Sequence, residues 1–172
     1  MDTTQLMTSL ASLQAGALHP LLGLDHLLAL LGMGMLYKNS SNTMKYASLL
    51  FVPMMLLAAI LGLHGAGLPE METGITLSLI ILGAVLMQNA KIPNVIKAPL
   101  VLGFAMYHGL AHGLEMPHAA QPAFYLLGMV LTSALLQALG AKLQDVLLGF
   151  KTRQPESKAG AVLALVGAYL FA

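Results

Sequence analysis

The six histidines of this chain fall into groups whose spacing suits chemistry. His19 and His26 bracket HPLLGLDH; at about 100° per residue a helix brings them to within about 20° of one stripe, roughly two turns apart. Asp25 adjoins His26 on another side of the helix, where its carboxylate can orient an imidazole or bind an ion directly. The second group is YHGLAHGLE, in which His108, His112 and Glu115 stand at i, i+4 and i+7 and share one helix face. An i, i+4 histidine pair offers two nitrogens to one ion. His64 and Glu72 complete the candidate ligand set, His19, Asp25, His26, His64, Glu72, His108, His112 and Glu115. Imidazole with carboxylate suits a divalent first-row metal. The chain has no cysteine, which removes thiolate ligands and disulfides and weakens the case for Cu(I) or structural zinc.

The elements that must position these residues are set by composition. Of 172 residues, 58% are hydrophobic and 9% charged, with a mean hydropathy of +0.79. A soluble domain is about 25% charged, so lipid is the expected solvent. A bilayer core of about 30 Å needs about 20 apolar helical residues. This predicts an all-α polytopic membrane protein, one transmembrane domain over 1–172, with spans near 15–36, 47–66, 71–90, 95–114, 122–141 and 159–172. Charge supports six spans: Lys38, Lys45, Lys91, Lys97, Lys142, Lys151, Arg153 and Lys158 all fall on one side, which is then cytoplasmic, with both termini outside. On that orientation every histidine, together with Asp25, Glu72 and Glu115, lies in the outer half or the outer loops.

Residues 3–14 read either as a short N-terminal amphipathic helix on the outer surface, with a kink at Pro20 leading into the first span, or as a frayed helical extension of that span. The stretch KTRQPESKAG reads as a solvated linker. MDTTQ lacks the positive n-region of a cleavable signal peptide. A net charge of +1 without a basic stripe argues against nucleic acid as a partner, and no nucleotide-binding motif is present.

Blander readings compete at single positions. A lone membrane histidine such as His64 more often hydrogen-bonds between helices, and His118 is simply solvated beside Pro117. Glu72 also suits a helix start, where the dipole favours an acid. For the two histidine groups taken together, a purely structural polar network would not need so many imidazoles on two helices. Gly109 and Gly113 repeat the histidine rhythm one residue on and allow a neighbouring helix to approach closely.

HPLLGLDHLLAL at 19–30 and YHGLAHGLE at 107–115, with LPEMETGITLS between them, resemble the signatures of the HupE/UreJ family of nickel permeases. The resemblance covers nearly the whole chain. It implies a small secondary permease supplying nickel, with cobalt as a second substrate, to hydrogenase or urease maturation. The family's first-span ligands match His19, Asp25 and His26, its fourth-span ligands His108, His112 and Glu115, and its third-span acid Glu72, by the spacing to Ser78. The expectation is therefore a non-enzymatic, multi-pass protein of the cytoplasmic (inner) membrane. Ni²⁺ or Co²⁺ is its substrate, no prosthetic group is required, and its partners are the ion and the lipid bilayer, with homo-oligomerisation left open. The rival readings are an intramembrane metal-dependent hydrolase, in which three histidines and a carboxylate base activate water, and an accessory membrane protein that binds metal without moving it.

Overall fold

The computed structural model describes residues 2–38, 41–88, 92–149 and 154–172. Among the described residues the chain forms helices and no strand: α1 (Thr3–Leu22), α2 (Leu24–Lys38), α3 (Asn42–Leu63), α4 (Met71–Met87), α5 (Asn94–Leu114), α6 (Pro122–Gly149) and α7 (Pro155–Phe171). Two stretches among them are long and apolar enough to cross a membrane, Lys45–Leu63 and Pro122–Gly149; the bent pair α1–α2 makes a third if it is one span, and Met71–Met87 is apolar but shorter. The histidines, glycines and Lys97 carried by α5 dilute its apolar run. Leu57, Leu131, Leu135 and Leu165 stand exposed on the outside of the bundle, an apolar belt that lipid must cover.

Three local expectations are corrected. Residues 3–14 are not a separate surface helix, because α1 runs unbroken to Leu22. Its small polar face (Ser9, Ser12, Gly16) is buried, and it packs on α6, where the Gln121 N–H donates to Ser12 Oγ at 2.8 Å. The bend is not at Pro20, which sits inside α1, but at Gly23, where the chain turns by 78°. A proline near a helix end costs one backbone bond and a local clash, whereas Gly23 leaves the helix outright at ψ 110°. Third, α6 continues past the expected end at 141 to Gly149, and α7 starts at Pro155, so most of the expected linker after Arg153 is helical. The expected end of the third span at 90, and the basic residues Lys91, Lys151 and Arg153, lie outside the described residues. Lys97 lies near the start of α5 and is buried.

Glycine sets the helix pairing. A Cβ on Gly109 would overlap the Met55 carbonyl, and one on Gly113 the Ala59 carbonyl, so α5 lies with its backbone against that of α3. The contacts advance together along both helices, which therefore run the same way. By the same test α1 and then α2 follow α6 in its own direction (Gly16 on Tyr125, Gly34 on Gln137), while α4 and α7 run opposite (Gly83 on Gly160, Gly167 on Ile80). Small residues permit such approach where apolar surface alone gives helices no reason to associate in lipid. The core between the pairs is apolar, with Met33, Leu36, Phe51, Leu79 and Val101 each 1% exposed or less.

Candidate metal site

The site forms where the break at Gly23 meets the last turns of α5. His19 sits in the last turn of α1, where the helix dipole favours a cation. Immediately after the break, Asp25 lies in the first turn of α2. Its Oδ1 accepts the His26 backbone N–H at 2.7 Å and lies 2.8 Å from His26 Nδ1. A carboxylate at this position holds the Nδ1 proton and leaves the His26 Nε2 lone pair free. An added Cβ at Gly23 would stand 3.0 Å from both Asp25 Oδ1 and His26 Nδ1. Gly23 is thus required by the side chains it precedes as well as by the bend.

The i, i+4 spacing of His108 and His112 places both on the inner face of α5, buried to 2% and 0% exposure. The four imidazoles form a chain: ring centroids lie 4.7 Å apart for His108–His26, 4.5 Å for His26–His112 and 4.6 Å for His112–His19. One nitrogen from each of His19, His26 and His112 lies within 4.8 Å of the other two. Both nitrogens of His112 and Nε2 of His26 are buried without a hydrogen-bond partner among the described residues. Leaving a buried polar atom unpaired costs about 1–3 kcal/mol. Gathered at one point, such atoms fit a cation that takes imidazole lone pairs. His108 stands at the end of the chain, its Nε2 2.9 Å from Ser78 Oγ. The Ser78 hydroxyl is directed at the Ile75 carbonyl, 2.7 Å away, so its oxygen is left to accept from His108 Nε2–H and the lone pair falls on Nδ1.

Outside the imidazoles lies a half-open cavity of about 480 Å³ whose lining includes His19, Gly23, Asp25, His26, Glu72 and Glu115. Among the described residues three carboxylates and no lysine or arginine face it, so its field draws cations inward. Glu115 caps α5 and places Oε2 3.1 Å from His19 Nε2. Glu72 is exposed in the first turn of α4, on the cavity wall and away from the imidazole cluster. His64 is not brought to the site: it caps α3, is exposed, and its Nδ1 bonds the Ile60 carbonyl at 2.7 Å.

Two neighbours are not evident from histidine spacing. Ser78, the last polar residue of α4, fixes His108. Tyr125 of α6 is fully buried, its ring centroid 6.1 Å from that of His19, and its hydroxyl has no partner among the described residues. A hydroxyl followed only by apolar residues, as in SLIILGAVLM, was a usable signal for Ser78; nothing in the sequence around Tyr125 sets it apart.

Against known proteins, the chain matches the family described as HupE / UreJ protein over residues 4–170. It is similar to Protein HupE of Rhizobium leguminosarum bv. viciae, with 32% identity over 157 residues that cover 91% of this chain and 82% of that protein. No solved structure matches it.

Proposed function

This chain belongs to the HupE/UreJ family, and we propose that it is a secondary permease that carries nickel ions, with cobalt as a second substrate, inward across the cytoplasmic membrane for the maturation of nickel enzymes. The observation that carries this reading is the set of imidazole nitrogens of His19, His26 and His112, with His26 Nε2 and both nitrogens of His112 buried and unpaired among the described residues, beside a cavity that His19 and His26 line together with Asp25, Glu72 and Glu115. A hydrated cation drawn by the carboxylates exchanges water for nitrogen. Asp25 and Glu115 balance its charge, since an uncompensated divalent ion in low dielectric is prohibitive. A site at a helix break inside the bundle is the arrangement secondary transporters use.

Six spans, with α1–α2 as the first and both termini outside, accompany this proposal. The running directions of the paired helices support it, because alternating spans would give α3 and α5 one direction and α4 and α7 opposite ones. The protein is not an enzyme on this reading: of the three carboxylates on the cavity, Asp25 and Glu115 are engaged with imidazoles, which leaves only the exposed Glu72 as a base for metal-assisted hydrolysis.

The test is uptake of radioactive nickel into proteoliposomes under an imposed potential, comparing wild type with His112→Ala. Uptake by wild type and none by the variant is expected. If wild type binds nickel but the lumen stays empty, the permease reading is wrong and an accessory metal-binding role replaces it.

A further inference from the structure

An ion released from the imidazoles must still cross the inner half of the bundle, where the core is apolar. We propose that the cavity between α2, α3 and α6 is the exit vestibule for the metal ion, bridged at its far end by the exposed Lys38–Asp145 ion pair; the proposal rests on the permease reading above. The cavity encloses about 610 Å³, and its polar wall is formed by Tyr37, Lys38, Ser48, Gln137, Lys142 and Asp145.

Three observations lead there. Met33 lines this cavity, is fully buried, and follows His26 on α2 by about two turns, on the same stripe and about 10 Å further along the axis. The flexible thioether of Met33 thus lies on the α2 stripe between the imidazole cluster and the vestibule. Second, the cavity holds polar atoms that the fold leaves unused. Ser48 lines it at 2% exposure, with no partner for Oγ among the described residues. The Gln137 amide nitrogen donates to the Ser48 carbonyl at 3.3 Å, which leaves Gln137 Oε1 to face an ion. Hydroxyl and amide oxygens of this kind suit an ion regaining its water. Third, Lys38 Nζ and Asp145 Oδ2 lie 2.8 Å apart and join the last residue of α2 to α6. A divalent cation arriving at Asp145 competes with the ammonium and releases the tie. Lys142 on the same wall keeps that stop weak enough for the ion to leave.

The alternative route is poorer in ligands. A cavity of about 570 Å³ between α4 and α5 has Ser78 and Tyr107 as its polar lining side chains and, among the described residues, no carboxylate.

The experiment measures nickel uptake by proteoliposomes and nickel binding in detergent for wild type, Ala138→Phe, Asp145→Ala and Gly103→Phe. Ala138 lines the proposed vestibule and has room to be filled; Gly103 lines the α4–α5 cavity, where an added Cβ meets nothing within 4 Å. Ala138→Phe is expected to lower uptake about tenfold, about 1.4 kcal/mol on the barrier, with binding intact, and Gly103→Phe to transport as wild type. Unchanged uptake in Ala138→Phe, as a merely lipid-filled groove would give, overturns the proposal, and so does a block by Gly103→Phe instead. If Ala138→Phe loses binding as well, it has misfolded and Asp145→Ala decides: uptake altered in either direction with intact binding supports the vestibule, because the variant removes both the tie and the acid at the exit, and uptake equal to wild type removes it. Absence of uptake by wild type is a different failure, which removes the permease reading and the exit with it.

Discussion

At the scale of the residue, the site depends on which imidazole nitrogens carry protons. Asp25 assigns the His26 tautomer and Ser78 that of His108. Partners of this kind are worth about 10–100-fold in metal affinity. Asp25→Asn, which keeps the shape and offers an amide in place of the carboxylate, should therefore weaken nickel binding within that range in equilibrium dialysis. An unchanged constant would show that Asp25 neither orients His26 nor balances the ion. Acidity should act in the same direction. The ordinary imidazole pKa is about 6.5, and an ion binds only the neutral ring, so protons compete with metal. Nickel affinity should be level above neutrality and fall as the solution is acidified, read by the same dialysis across a pH series. Affinity that rises in acid would exclude an imidazole site.

At the scale of the element, the break at Gly23 and the glycine seam between α3 and α5 hold the two halves of the site in register. Gly23→Ala crowds Asp25 and His26 at 3.0 Å, and should lower nickel affinity while leaving thermal stability nearly unchanged. Gly109→Leu forces α5 off the Met55 backbone, and overpacking of this kind costs about 1–3 kcal/mol. It should lower the melting temperature in detergent as well as displace His108 and His112; an unshifted melting curve would mean that the seam is not tight. Part of this arrangement is legible in the sequence. The periodicity of His108, His112 and Glu115 alone puts them on one face, and Gly109 and Gly113 mark a close approach. Neither says which helix approaches, because a small residue advertises proximity without naming the neighbour. Proline is the stronger single-residue signal for a bend, which favours Pro20, yet the helix ends at Gly23, the position that the side chains of Asp25 and His26 leave without room for a Cβ. His64 carries the right ring for a ligand, but its place at the end of α3 ties it to the Ile60 carbonyl, a local bond that composition does not reveal.

At the scale of the whole molecule, a cation carried without a coupling ion is driven by the membrane potential, about 2.3 kcal/mol per charge per 100 mV. An inside-negative potential should accelerate nickel uptake into proteoliposomes and its reversal should slow it; uptake indifferent to the potential would point to electroneutral exchange with protons. The abundance of apolar helix follows from composition, whereas the pairing of α1–α2 with α6 depends on contacts between distant segments, which no local pattern encodes. That same distance bears on how the protein is made. His19 and His26 leave the ribosome well before His112, and the nitrogens converge only after α5 has docked along α3 beside them. A nascent chain holds half a site, two imidazoles and a carboxylate, without the His112 nitrogens that complete the cluster. On the permease reading, full-strength metal capture waits on completed assembly, and an ion held across the break would act as a late fastener that reports the finished bundle.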